Sequence, residues 1–118
     1  MSDIVRLGES RRWADVVIYA GVARWVEVAD DPSQDARSQV RQVLAQIDAT
    51  LARLASDKTR LLQIVIYLAD LSDAPSLNAE WDAWVAPAHP PVRACVQAGL
   101  SPGYRVEMVI EAGMDVER

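Results

Sequence analysis

The chain has 118 residues, 51% hydrophobic and 25% charged, and its 12 Lys and Arg against 17 Asp and Glu give a formal charge of −5. This composition predicts one folded domain over residues 1–118 and excludes a mostly disordered chain. The acidic balance disfavours nucleic acid and anionic membranes as partners, because both select clustered Lys and Arg. The single cysteine, Cys95, excludes an intramolecular disulfide and, together with the single histidine, His89, disfavours a metal centre.

Targeting signals are not apparent in the sequence. No segment reaches the ~18–20 apolar residues that span a bilayer. The first ten residues, MSDIVRLGES, contain an early Asp and lack the apolar core of a signal peptide. We therefore expect a cytoplasmic protein.

The first half of the chain predicts a hairpin followed by a long helix. A short leading strand is expected over residues 4–6, and strands over residues 15–19 and 22–28 flank the turn Ala20-Gly21. The helix runs from Ser33 to about Ser56, with Asp35 near the positive end of its dipole. Its buried stripe repeats every three or four residues. The stripe comprises Val40, Val43, Leu44, Ile47, Leu51 and Leu54.

The second half predicts three strands and a second helix. Strands are expected over residues 61–68, 92–98 and 104–111. The helix spans residues 75–85 and is capped by Ser72 or Asp73. The resulting order, β-β-α-β-α-β-β, predicts an α+β fold in which two helices cover one face of a mixed sheet of five to six strands.

The strand over residues 61–68 predicts self-association. Its sequence, LLQIVIYL, places apolar side chains on both faces: Leu62, Ile64, Ile66 and Leu68 on one, Val65 and Tyr67 on the other. Two helices cover only one face of such a sheet. Copies of the same chain are the simplest cover for the second face, so we expect a symmetric oligomer.

Arg93 lies inside an otherwise apolar strand and needs an anionic partner. Glu107 occupies the next predicted strand, after the short turn Ser101-Pro102-Gly103, so the two side chains are expected near each other. Two interpretations follow. Arg93 forms an ion pair with Glu107 within the sheet, or its guanidinium receives a ligand carboxylate, which Arg matches with two parallel hydrogen bonds.

Several segments together resemble the Rid family of reactive intermediate deaminases, also called YjgF-like. They are PPVRACV (residues 90–96), Val106-Glu107, IEA (residues 110–112), QVRQVLAQID (residues 39–48), IYLAD (residues 66–70) and NAEWDAW (residues 78–84). The resemblance covers most of the chain and implies a chorismate-mutase-like fold. It also implies a homotrimer whose sheets enclose a barrel, with clefts between subunits. Family members hydrolyse enamine and imine intermediates to 2-oxo acids and ammonia, without cofactor or metal.

The resemblance assigns roles to individual positions. Arg93 holds the substrate carboxylate, Cys95 lines the pocket without acting as a nucleophile, and Glu107 orients or activates the attacking water. Relatives often carry Ser-Gly-Gln where this chain has Trp25-Val26-Glu27. Trp25 and Val26 are therefore expected to line and narrow the pocket, and Glu27 to add negative charge there.

Three functions from different classes are compatible with the sequence. The first is a deaminase acting on small 2-imino acids. The second is a non-catalytic homotrimer that binds a small carboxylate metabolite as a sensor or regulator. The third, a nuclease, ranks last because the chain is acidic and lacks a basic groove.

Overall fold

A computed structural model describes residues 3–114, which form one six-stranded sheet with two α-helices. The α+β fold and the predicted element order are confirmed, and the leading strand lies one residue later than predicted. Short 3₁₀ turns at Lys58–Arg60 and Leu71–Asp73 precede β4 and α2. The elements are β1 (Val5–Leu7), β2 (Val16–Tyr19), β3 (Val22–Val28), α1 (Ala36–Arg53), β4 (Leu61–Leu68), α2 (Ala74–Trp84), β5 (Val92–Gln97) and β6 (Val106–Gly113).

The strand order across the sheet is β1-β2-β3-β6-β4-β5. All neighbouring strands are antiparallel except β4 and β5, which are parallel and are connected through α2. Strand β6 therefore lies in the middle of the sheet, whereas β5 forms one edge. The chain passes from β5 to β6 through the loop of residues 98–105, which crosses the end of β4.

Helix α1 forms where its sequence pattern predicts, but it is shorter at both ends than the predicted span of residues 33–56. The Asp35 carboxylate caps it by accepting a hydrogen bond from the backbone N–H of Ser38 at 2.9 Å. All six residues of the predicted stripe are buried against the sheet. Two polar residues, Gln39 and Thr50, are buried beside them and were not predicted. The helix ends where Ala55 adopts a left-handed backbone conformation with φ 56°. Between residues 3 and 114, neither helix is long and apolar enough to cross a membrane.

Glu80 links the outer sides of the two helices. Its carboxylate accepts hydrogen bonds from the guanidinium groups of Arg41, at 2.9 Å, and Arg37, at 2.7 Å. Hydrogen bonds from Arg41, which has the larger effect, and from Arg37 lower the pKa of Glu80 from 4.5 to about 2. The bridge is therefore charged at neutral pH, and it fixes α2 against α1.

Glu80→Gln is expected to lower the melting temperature at pH 7 by roughly 2–4 °C, since the amide keeps the shape and loses the charge. Because the folded pKa lies below the unfolded value of 4.5, the stabilisation is present above pH 4.5 and is lost as the pH falls toward 2. Thermal unfolding followed by circular dichroism between pH 7 and 2 should show the two proteins converging. Asp82→Asn, on the exposed side of α2, is the control and should show no such convergence.

The two helices pack on only one face of the sheet. The helices bury one face, including Ile64, Ile66, Met108 and Ile110, whereas no element between residues 3 and 114 covers the other face. We call this second surface the open face. It carries Arg24, Val26, Val28, Val65, Tyr67, Glu107, Val109 and Glu111.

The prediction that Leu62 shares the buried face of β4 was wrong. A β-bulge between Leu61 and Gln63 inserts one extra residue, so Leu61 takes the buried position and Leu62 is 45% exposed. Ile64, Ile66 and Leu68 are buried as predicted, because the alternation resumes after the bulge.

Candidate functional site

A cleft of about 780 Å³ lies along an unpaired stretch of β3. Strand β2 pairs with β3 only from Val22 to Arg24. Along residues 25–28, the edge of β3 that faces β2 has no strand partner among residues 3–114. The chain before β2 and the 98–105 loop form the walls. The lining residues are Trp13, Ala14, Asp15, Val16, Trp25, Val26, Glu27, Val28, Thr50, Arg53, Ser101, Tyr104 and Glu107.

The segment Trp25-Val26-Glu27 lines this cleft, but its side chains alternate between the two faces of the sheet. Trp25 points toward the helices and is 5% exposed, whereas Val26 lies on the open face and is 54% exposed. The Glu27 carboxylate also points toward α1. It accepts hydrogen bonds from Trp25 Nε1 at 3.2 Å, Gln46 Nε2 at 2.9 Å and Thr50 Oγ1 at 3.0 Å. Glu27 is therefore held in place by neutral donors.

Glu107 enters the same cleft from the open face. It lies in β6, directly opposite Val28 on one side and Tyr67 on the other. Its side chain is half-buried and lines the cleft together with Tyr104 and Ser101. The structure thus brings together three of the five predicted site residues: Trp25, Val26 and Glu107.

Arg93 lies at the other end of the sheet, on the edge strand β5. It pairs with Ile64 of β4, so its side chain is on the helix side, where its guanidinium carbon lies 5.1 Å from the ring centroid of Trp81. No carboxylate in the described part of the chain forms an ion pair with it. The indole supports the cation on one face and leaves its N–H groups free to bind an anion.

The predicted proximity of Arg93 and Glu107 is wrong for a single chain. Strand β4 lies between β5 and β6, and Arg93 is in register with Ile110, three residues from Glu107. With strands ~4.8 Å apart and ~3.3 Å per residue, their Cα atoms lie roughly 14 Å apart. Their side chains also leave the sheet on opposite faces. An Arg–Glu ion pair within the sheet is therefore excluded in one protomer.

Cys95 follows Arg93 on the helix side of β5 and packs against the core beside Ile66. Burial raises the pKa of its thiol, and the nearby Arg93 charge lowers it by less. The protonated thiol is a poor nucleophile at neutral pH. Cys95 therefore offers the chemistry of a small pocket-lining group.

Arg93 and Trp25 are in register across the sheet, in a row of four side chains on the helix side, but they do not share a pocket. Ile64 and Ile110 fill the row between them and are fully buried. The carboxylate-binding candidates, Arg93 and Cys95, thus lie at one edge of the sheet, and the cleft lies near the other.

Comparison with known proteins decides the family. Residues 6–114 match the family described as endoribonuclease L-PSP. The chain belongs to this family, which is also known as YjgF or RutC. The resemblance recognised in the sequence is confirmed.

Similar proteins support the assignment along the whole chain. The RutC family protein YoaB of Escherichia coli K12 is 44% identical over 112 residues, covering 94% of this chain and 98% of that protein. A solved YjgF-family protein from Neisseria meningitidis is 40% identical with a TM-score of 0.90, and the match covers 98% of each chain. The crystal structure of an uncharacterized protein from Pseudomonas aeruginosa has a TM-score of 0.91 at 36% identity, and the match covers 96% of this chain and 100% of that chain.

Sequence reasoning missed several cleft residues of this YjgF-family chain. Thr50 carried a signal, because it is a polar residue next to Leu51 on the buried stripe of α1. Trp13 was not missed: its place at the hairpin predicts that it borders the cleft, and it lies at the cleft mouth, 64% exposed. Asp15, Arg53, Ser101 and Tyr104 carried no comparable signal.

No three His, Cys, Asp or Glu side chains between residues 3 and 114 converge on one point. The acidic residues of the cleft, Asp15, Glu27 and Glu107, lie on different elements, and Glu27 is already bound to three donors.

Proposed function

We propose that this protein hydrolyses small 2-imino acids to 2-oxo acids and ammonia, in a cleft between copies of the chain in a homotrimer. The observation that carries the proposal is Arg93: an exposed guanidinium on an edge strand, supported by Trp81, with no ion-pair partner among residues 3–114. Such a group binds a carboxylate through two parallel hydrogen bonds. Membership of the YjgF family agrees with this substrate class.

The reaction needs little from the protein beyond positioning. A water oxygen adds to the imine carbon, the nitrogen takes up protons, and ammonia leaves as the carbonyl of the 2-oxo acid forms. Glu107 accepts a hydrogen bond from that water and removes a proton as the C–O bond forms. Arg93 fixes the carboxylate next to the imine carbon, which makes the attack effectively intramolecular.

A second copy of the chain supplies the missing half of the site. Within one chain, the cleft with Glu107 and the edge carrying Arg93 and Cys95 are separated by the filled core. The open face is apolar around Val26, Val65 and Val109, so its burial against other copies stabilises an assembly. Assembly can then set the β5 edge of one subunit beside the β3 cleft of the next.

The substitutions at the cleft favour small substrates. Val26 places a β-branched side chain on the open face, where the Rid resemblance implies a glycine, and Trp25 fills space behind it. A 2-imino acid of three or four carbons therefore fits better than one with a long side chain.

The charge of the cleft disfavours a nuclease. Three carboxylates, on Asp15, Glu27 and Glu107, face a single guanidinium on Arg53. A nucleic-acid backbone needs several cations along its path, and this cleft presents mainly anions. The family description as an endoribonuclease is therefore not the function that we propose here.

Competition for a freshly generated imine tests the proposed function. An amino acid oxidase acting on alanine releases 2-iminopropanoate, which semicarbazide traps. With the protein present, less semicarbazone should form and pyruvate should appear faster, in proportion to protein concentration; heat-denatured protein is the control. Unchanged trapping would overturn the deaminase proposal. Unchanged trapping together with pyruvate binding by calorimetry would favour the non-catalytic carboxylate-binding homotrimer.

A further inference from the structure

We infer that Gln39 is a positioning residue that fixes the 98–105 loop as one wall of the cleft. It lies in α1, is fully buried, and its side chain does not line the cleft. A buried amide with no hydrogen bonds would be costly, so its partners indicate what it holds in place.

The Gln39 amide bonds to the 98–105 loop at two points. Its Nε2 donates to the carbonyl of Gly103 at 2.9 Å, and its Oε1 accepts from the backbone N–H of Arg105 at 2.9 Å. Tyr104, which lines the cleft, lies between these points, and its N–H closes a turn onto the carbonyl of Ser101, the other cleft residue of the loop, at 3.0 Å. The position of both cleft residues therefore depends on the amide.

The same amide joins the loop to the segment that leads into α1. Nε2 is also within hydrogen-bond distance of the carbonyls of Pro32, at 3.0 Å, and Gln34, at 2.9 Å. Three carbonyls thus share two amide hydrogens, and one side chain holds two loops that are distant in sequence. No other glutamine or asparagine side chain donates to the 98–105 loop in the described part of the chain.

The remaining anchors hold the two ends of the loop: at its start, the Ala98 N–H donates to the Leu68 carbonyl at 3.0 Å. The Arg105 guanidinium pairs with Asp73 at 2.6 Å, and its carbonyl accepts from the Ala69 N–H at 3.0 Å. These contacts hold Arg105 and leave Gly103 dependent on Gln39. Loss of the amide therefore releases the part of the loop that carries Ser101 and Tyr104, while Glu107 keeps its place in β6.

Gln39→Leu tests the inference against a matched control, Gln42→Leu. Gln42 lies one turn along the same helix. Its side-chain amide accepts from the backbone N–H of Asp31 and donates to the Asp31 carbonyl, and it has no hydrogen bond to the 98–105 loop. In native-state hydrogen exchange, the Tyr104 amide, which donates within the loop to the Ser101 carbonyl, should exchange at least tenfold faster in Gln39→Leu than in Gln42→Leu. The second readout rests on the proposed function: KM for 2-iminopropanoate should rise about tenfold while kcat falls less than threefold.

Gln39→Glu separates positioning from folding. The ionised carboxylate keeps the acceptor for Arg105 N–H and repels the three carbonyls, whereas the protonated form regains a donor. The KM of Gln39→Glu should therefore exceed the wild-type KM at pH 8 and approach the wild-type value as the pH falls to 5. A purely structural role would not produce this recovery.

Two results would overturn the inference. One is exchange of the Tyr104 amide that matches the Gln42→Leu control. The other is a loosened loop with KM unchanged in an active enzyme. If the wild-type protein neither hydrolyses 2-iminopropanoate nor binds pyruvate, the proposed function fails, and the exchange rates alone decide whether Gln39 holds the loop.

Discussion

Arg93→Ala is expected to reduce hydrolysis of 2-iminopropanoate at least about a hundredfold, because the variant loses two charge-assisted hydrogen bonds to the substrate carboxylate. Arg93→Lys should recover little of that loss, since an ammonium cannot form the paired contact or stack on Trp81 in the same way. The measurement is the initial rate in the trapping assay, with the assembly checked by light scattering.

The competing interpretation of Arg93 gives a different result. If Arg93 only stabilises the fold through Trp81, both substitutions should lower the melting temperature and leave the turnover of folded protein nearly unchanged. Arg37→Ala is the matched control, because Arg37 is an exposed arginine on α1 that does not line the cleft. It should lose some thermal stability and keep full activity.

The wild-type protein is expected to scatter light as three chains at micromolar concentration, and Val109→Lys as one. Val109 lies at the centre of the open face, in register with Val26 and Val65. An ammonium buried there without a partner would cost several kcal/mol per subunit, which is enough to dissociate the assembly. Far-ultraviolet circular dichroism should remain unchanged, because the open face is outside the core of the single chain.

Ala45→Lys adds the same charge on the exposed side of α1 and should leave the mass at three chains. A wild-type protein that is monomeric at micromolar concentration would contradict both the trimer and a site shared between subunits. An active monomer would show that Arg93 and Glu107 need not come from different copies.

The local features of the fold were predictable from the sequence because they depend on near neighbours. The stripe from Val40 to Leu54 repeats with the period of a helix, and every member is buried. The bulge at Leu62 was not predictable in this way. The bulge depends on the register of β4 against Ala112 and Glu111 of β6, a strand more than forty residues away in the sequence.

The sheet order was the main error, and the sequence held a signal that would have corrected it. Arg93 and Glu107 were expected to be neighbours because a short turn was predicted to join their strands. The strand at residues 61–68, the helix after it and the strand at residues 92–97 form a β-α-β unit, which normally pairs its strands in parallel. That rule places β5 beside β4 and away from β6.

The buried polar partners could not be predicted at all. Gln39 reaches Gly103 across 64 positions of sequence, and Thr50 reaches Glu27 across 23. Periodicity places such residues on the core side of a helix without naming the group that satisfies them. The parts of the cleft that depend on these bonds required the three-dimensional structure.

Strand β5 has consequences for local stability. It pairs with β4 alone, and its Val92 and Val96 side chains are largely exposed, so it has the least support of the longer strands. In an isolated chain, detaching it breaks one ladder and exposes little new apolar surface, so its local unfolding needs less free energy than opening β4 or β6. Arg93 thus belongs to the least supported of the longer strands, and a carboxylate that binds it stabilises that strand by mass action.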